Sequence, residues 1–285
     1  MHTNTLIALV DGSAYAESVC HHAAWIAART GAKVKLFHVM GRRSGPEHQD
    51  LSGAIRLGAR SRLLEELSEL DVKRAKLAQE HGRAILEDAR AIVEADGDIE
   101  VETRLRQGDL VETITEKEDS GDMIVIGKRG EAAGLASEHL GSNLERIVRA
   151  SHKPVFVANR KFRNIERVLV AFDGAASSLK AVDFMSRNPL FAGLSVTLVY
   201  AGQEKPDMRK ALENAAAMLA AGGLSADWVI QPGVPEKVLV NMASPDGHDL
   251  LVMGAYGHSR VRSLIIGSTT TQMIRSCRVP VLLVR

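Results

Sequence analysis

Cysteine is scarce: the 285 residues hold two, Cys20 and Cys277. Two thiols so far apart in the chain suggest neither a disulfide framework nor a Cys-based metal site, and both are expected to be buried and reduced. Excess charge is lacking too. The 36 Lys and Arg against 35 Asp and Glu leave a net charge of +1, too little for a broad basic field, so a nucleic-acid partner is disfavoured. No run approaches the ~18 apolar residues that span a bilayer, so no membrane partner is expected. The opening apolar run Leu6–Val10 stops at Asp11 and has no basic region before it, so no signal peptide is expected and the setting reads as cytoplasmic. Two phosphate signatures are also absent. No Gly-Lys-Ser/Thr supplies a Walker lysine, and no G-x-G-x-x-G follows a first strand.

What is present is a repeat. "LIALVDGSAYAESV" from Leu6 is echoed by "VLVAFDGAASSLKAV" from Val168, which sets Asp11-Gly12 against Asp173-Gly174. "DMIVIGKRG" (Asp122–Gly130) matches "DLLVMGAYG" (Asp249–Gly257), and "HLGSNLERIVRASHKPVFVA" matches "IIGSTTTQMIRSCRVPVLLV". Three blocks recurring in one order indicate two homologous domains, 1–160 and 161–285, joined at the polar stretch Asn159–Arg167. Each repeat alternates short apolar runs with helix-length segments. In the second, strands are expected at Val168–Phe172, Ser195–Tyr200, Ala226–Gln231, Asp249–Gly254 and Pro280–Val284. In the first they are expected at Thr5–Val10, Lys33–Val39, Glu100–Arg106, Asp122–Gly127 and Pro154–Ala158. Helices between them, Ser177–Arg187, Asp207–Ala221, Pro235–Met242 and Ser268–Ser276 in the second repeat, make each domain a doubly wound α/β unit.

Asp11 and Asp173 are 162 residues apart but Gly127 and Gly254 only 127, so the first domain carries 35 extra residues, within Gly41–Asp96. "GRRSGPEHQD" reads as a loop. From Ile55 the segment reads as helix, with Leu63, Leu67, Leu70 and Leu77 in a stripe. Such a stripe can bind a partner helix. The expectation is the commoner one, that it packs on its own sheet or folds back as a hairpin.

The glycines that follow each fourth strand carry the functional question. Gly254 and Gly257 strip side chains from the loop, and Gly267 precedes a helix that opens on Ser268. Unpaired N–H groups and a positive dipole end at such a start suit phosphate, and His258, Arg260 and Arg262 add charge. A strand–glycine–helix joint is also an ordinary structural connection, and spacing alone leaves both readings open. Asp-Gly after a strand is likewise a good turn in itself. Asp122 and Asp249 precede the fourth strands, at the other end, and read as structural. Cys20-His21-His22 points three side chains in different directions along a helix, so no metal is expected there.

The set of motifs resembles the universal stress proteins. "FDGAASS" after the first strand, "DLLVMGAYGHS" at the fourth, G-x2-G-x9-G-Ser (Gly254, Gly257, Gly267, Ser268) and the terminal "RVPVLLVR" carry the likeness, and both halves show it, as in a bacterial tandem member. The resemblance implies five parallel strands per domain in the order 3-2-1-4-5, with the first aspartate and the glycine loop facing one crevice. It implies an ATP site, with Mg2+ as counterion, at Asp173, Ala201, Met253, Gly254, Tyr256, Gly257, Gly267, Ser268 and Thr269. A second nucleotide site is implied at Asp11, Val39, Ile126, Gly127, Arg129, Gly130, Gly141, Ser142 and Asn143. The first domain departs from the pattern, with ten residues rather than nine between Gly130 and Gly141, while Lys128 and Arg129 keep positive charge beside its loop. ATP is therefore expected in the second domain first. No nucleophile–base set and no carboxylate placed for Walker-type Mg2+ is visible, so the chain reads as a ligand-responsive stress-response protein, not an enzyme. A weak ATPase and a nucleotide-free interaction module are the alternatives. The edge fifth strands are expected to pair within the chain as a pseudo-dimer; a homodimer and an unknown protein partner stay open.

Overall fold

The computed structural model describes residues 4–41, 57–130, 142–244, 246–255 and 268–285; for 57–65, 142, 268 and 269 the description is of the backbone alone. The predicted positions Gly141, Tyr256, Gly257 and Gly267, and the loop residues His258, Arg260 and Arg262, lie outside it.

In the N-terminal half the strands are β1 (Thr5–Leu9), β2 (Lys33–Met40), β3 (Val101–Gln107), β4 (Met123–Gly127) and β5 (Val155–Ala158). In the C-terminal half they are β6 (Arg167–Ala171), β7 (Ser195–Ala201), β8 (Ser225–Gln231), β9 (Leu250–Gly254) and β10 (Val281–Val284). The helices are α1 (Ala16–Thr30), α2 (Leu57–Ala95), α3 (Leu110–Lys117), α4 (Ser142–Ala150), α5 (Ala176–Arg187), α6 (Pro206–Ala221), α7 (Pro235–Met242) and α8 (Ser268–Ser276). Local chemistry sets several of the starts. Pro206 and Pro235 open α6 and α7, where no N–H is needed. Asp109 caps α3 by accepting from the amides of Val111 and Glu112. Asn188 stops α5 and caps the 3-10 turn Pro189–Phe191 that follows.

All ten strands form one sheet, ordered β3-β2-β1-β4-β5-β10-β9-β6-β7-β8. Each half therefore shows the 3-2-1-4-5 order, and the equivalent registers agree: Leu6 pairs with Met123 in β4, and Val168 with Leu250 in β9. Neighbours within a half are parallel. Across the join β10 runs antiparallel to β5, with Val281 opposite Val157 and Leu283 opposite Val155. The sheet buries both faces, as parallel sheets do. Along β1, Leu6 and Ala8 enter the core under α1, α2, α5 and α6, while Ile7 and Leu9 enter the one under α3, α4, α7 and α8. Both cores run through both halves.

The insertion corrects the sequence reading. Its described part, Leu57–Ala95, forms one continuous 39-residue helix and not a hairpin. Leu86, Ala89 and Val93 bury themselves on one face of α2, but Leu67, Leu70 and Leu77 stand 43, 48 and 64% exposed. Length is the reason. At 1.5 Å per residue the helix is about 58 Å long, while the eight-residue β2 beneath it spans about 26 Å. Gly82 marks where the two meet, since a Cβ there would stand 2.7 Å from Leu105 and 2.9 Å from His38.

Candidate functional site

In the C-terminal half, β6 lies beside β9 at the point where strand order reverses, and Ala171 is level with Met253. Two residues beyond Ala171 the chain turns at Asp173. Its Oδ1 accepts from the Ala175 amide at 2.9 Å and from the Ser178 hydroxyl at 2.7 Å. The carboxylate is thus preset while remaining exposed. Gly174 takes φ 75°, which a side chain would strain, and so lets the turn enter α5 at once. Met253 is buried, and Gly254 presses on the first turn of α5, where a Cβ would stand 2.5 Å from the Ser177 carbonyl carbon. Ala201 ends β7 half-buried, level with Gln231. Ser268 and Thr269 begin α8, which returns the chain from the end of β9 to parallel β10 and so starts on the crevice side.

The N-terminal half repeats this arrangement. Asp11 Oδ1 accepts from the Ser13 amide at 3.0 Å. Gly127 abuts Tyr15, the counterpart of Ser177, with 2.7 Å from a would-be Cβ to the Tyr15 Cβ. At Gly130 a Cβ would stand 2.8 Å from Asp11 Oδ2. The Ser13 hydroxyl donates to the Arg129 carbonyl at 3.4 Å. Aspartate turn and glycine loop therefore border one crevice here. Ile126 is buried, Val39 half-buried near the end of β2, and Asn143 exposed in the first turn of α4, which begins at Ser142.

One expected charge is spent elsewhere. Lys128 follows β4, but its Nζ donates to the Cys277 carbonyl at 3.0 Å, at the C-terminal end of α8 in the other half. Burial pulls its pKa down to about 8. Arg285, after β10, makes the reciprocal contact, donating to the carbonyls of Arg149 and Ser151 at the end of α4. The cations suit the negative ends of those helices. Sequence reasoning missed both contacts, and no local signal carries them, because donor and acceptor lie more than 130 residues apart. It also missed Ser178, though a serine five residues after Asp173 in a helix start is a legible partner.

The remaining polar groups sort by place. Asp122 accepts from the Thr5 amide at 2.9 Å and Asp249 from the Arg167 amide at 2.9 Å, so each pins the start of a first strand, opposite the crevice. Burial raises the Asp249 carboxyl, but the Arg167 guanidinium and amide hold it below its usual range. His21 pairs with Asp96 at 2.6 Å while His22 turns toward Phe156 and Phe162. Burial pushes the Cys20 and Cys277 thiols up to about 12, which leaves them unreactive. Among the described residues no three His, Cys, Asp or Glu converge as metal ligands, and no helix is long and apolar enough to cross a membrane. An open groove of about 590 Å³ is lined by Trp25, Arg29, Glu166, Arg167 and Ser195. It lies where β6 and β7 start, the end away from the crevice.

A model of the universal stress protein family matches residues 2–159 and 200–285. Over 284 residues the chain is 35% identical to universal stress protein Slr1230 of Synechocystis sp., covering 98% of this chain and 99% of that protein. Universal stress protein Mb2028c of Mycobacterium bovis is 26% identical over 230 residues, 73% of this chain and 78% of its own. In fold, the chain resembles the crystal structure of a universal stress protein from Archaeoglobus fulgidus, with a TM-score of 0.72 at 21% identity over 100% of this chain and 99% of that one.

Proposed function

This chain belongs to the universal stress protein family, and from that premise we propose that it binds an adenine nucleotide and responds to it as a regulatory protein of the stress response. We read ATP as the ligand, residues 1–160 and 161–285 as the two units, and the second as the principal site. The observation that carries the reading is the 2.8 Å between a would-be Gly130 Cβ and Asp11 Oδ2. It supports one crevice, floored by glycine and edged by a carboxylate, at the carboxyl ends of the strands where an α/β sheet takes its ligands. In the sequence Asp173 and Gly257 hold the equivalent positions, and there the G-x2-G-x9-G-Ser spacing is intact.

The chemistry follows from the residues. The preset Asp173 carboxylate accepts from a ribose hydroxyl or the adenine amino group. The backbone of Ala201 and Met253 offers edges for the base. Phosphates suit the N–H groups that open α8 at Ser268 and Thr269, with Gly257 and Gly267 letting the loop approach. Mg2+ arrives with the polyphosphate. Nothing among the described residues sets a base beside an attacking water, so bound ATP selects a conformation of the loop and is not turned over at speed.

The test is direct. Purified protein is denatured and assayed for adenine nucleotide, and ATP–Mg2+ is titrated by calorimetry. Asp173→Ala and Gly267→Val are each expected to weaken binding at least about tenfold, near 1.4 kcal/mol, and Asp11→Ala less. No bound nucleotide and no thermal shift with excess ATP–Mg2+ would leave an interaction module. Steady turnover abolished by Gly267→Val would make it an ATPase.

A further inference from the structure

Beyond the sheet, α2 runs on into solvent. From Glu66 to His81 every residue except Ala78 is exposed. That stretch holds four of the seven large hydrophobic side chains exposed among the described residues: Leu67, Leu70, Val72 and Leu77. Leu67, Leu70 and Leu77 share one face, since steps of three and seven return to the same side of a helix. A three-leucine stripe in water on a helix this long needs a cover.

The order of charges says what covers it. Glu65, Glu66, Glu69 and Asp71 form an acidic block, and Lys73, Arg74 and Lys76 follow at once as a basic one. Among the described side chains of the helix these charges make long, exposed pairs, Arg74 to Asp71 at 3.9 Å and Lys76 to Glu80 at 4.0 Å, which are worth little. A parallel copy in register would lay acid on acid. A reversed copy lays each acidic block along the other's basic block. We propose that a second copy of this chain docks here, the two α2 helices pairing antiparallel about a two-fold axis at the level of Val72. That axis sets Leu67 of each copy against Leu77 of the other, and Leu70 against the aliphatic stem of Arg74. One patch meets itself, so the contact closes at two chains. The exposed stretch is about 24 Å long. A single helix pair of that length sits at the small end of specific interfaces, about 1,200 Å², and its charged flanks make it salt-sensitive. The pairing is independent of nucleotide.

Sedimentation equilibrium of the full chain over a wide concentration range, at low and high salt, tests it. The wild type is expected to dimerise reversibly and to weaken as salt rises. An acidic variant (Lys73→Glu, Arg74→Glu, Lys76→Glu) and a basic variant (Glu66→Lys, Glu69→Lys, Asp71→Lys) should each associate at least tenfold more weakly. Mixed in equal amounts, they should recover a heterodimer. Leu67→Ser with Leu77→Ser should also leave a monomer, with circular dichroism checking that α2 persists in every variant. A wild type monomeric throughout, a dimer untouched by both charge reversals, or a mixture that stays monomeric would each overturn the proposal.

Discussion

His22 is held in the core of the N-terminal half by aromatic rings, with centroids 5.1 Å from Phe156 and 4.9 Å from Phe162. Its Nδ1–H donates to the Ser18 carbonyl at 2.6 Å, while Nε2 is buried without a partner among the described residues. Burial lowers its pKa from 6.5 to about 4, so the folded protein holds the ring neutral. As pH falls from 6.5, the unfolded chain takes up this proton and the folded one does not until about 4. Stability contributed by His22 is complete above 6.5 and drains away across that window, by about 3 kcal/mol in all. Asp249 and Glu118 act lower still. Burial raises their carboxyls, but hydrogen bonds from Arg167 and His152 hold them below the usual range, so their contributions fade at more acid pH. Urea midpoints taken from pH 7 to 4.5 should therefore slope downward in the wild type and lie nearly flat in His22→Leu. A variant that keeps the wild-type slope would assign it to other groups.

At the scale of elements, the glycines divide by what they touch. A Cβ on Gly254 would meet backbone and Cβ atoms of Ser177 at 2.5 to 2.7 Å, and backbone in a helix turn cannot step aside. Gly254→Ala should cost about 1–3 kcal/mol as an overpacked core site. On Gly130 the same atom meets, among the described residues, the end of the Asp11 side chain, which can rotate away. Gly130→Ala should cost less than about 0.5 kcal/mol. Equal losses in denaturant titrations would refute that division. The strands were legible to within a residue because short valine- and leucine-rich runs bounded by Asp, Gly and Pro admit little else, and the repeat checked each against its twin. The aspartate turns after β1 and β6 were legible for the same reason. The tail of α2 was not, because nothing local tells a leucine stripe on a sheet from one that overshoots it. Lys128 was misread because its carbonyl partner, Cys277 just past α8, lies 149 residues on. Tyr256, Gly257, Gly267 and Gly141 are positions that only the sequence pattern assigns.

The whole molecule is bound across its middle by more than strand pairing. β5 and β10 are fully buried along all eight residues, and Leu282 lies opposite Phe156. Side chains of each half also cap carbonyls of the other: Arg29 reaches Leu190 at 2.7 Å, Lys128 reaches Cys277, Asn159 reaches Arg278 at 3.3 Å, and Arg285 reaches Arg149 and Ser151. Because both cores run through both halves, neither half can unfold without exposing apolar strand edge and stranding buried carbonyls on the other. The chain should therefore unfold as one cooperative unit despite its repeat. It carries its own reporters, since its two tryptophans fall one to each half. Trp25 lies on α1 with Arg29 stacked over it at 5.3 Å, and Trp228 on the outer strand β8 with Arg209 at 5.2 Å. Trp25→Phe and Trp228→Phe each leave a single fluorophore, one reading the C-terminal half and the other the N-terminal half. Each variant's fluorescence midpoint in urea should coincide with its own circular-dichroism midpoint, as two-state unfolding requires. A fluorescence change from one tryptophan that precedes the loss of helix would show that the halves come apart first, and that the shared sheet couples them more weakly than its buried contacts imply.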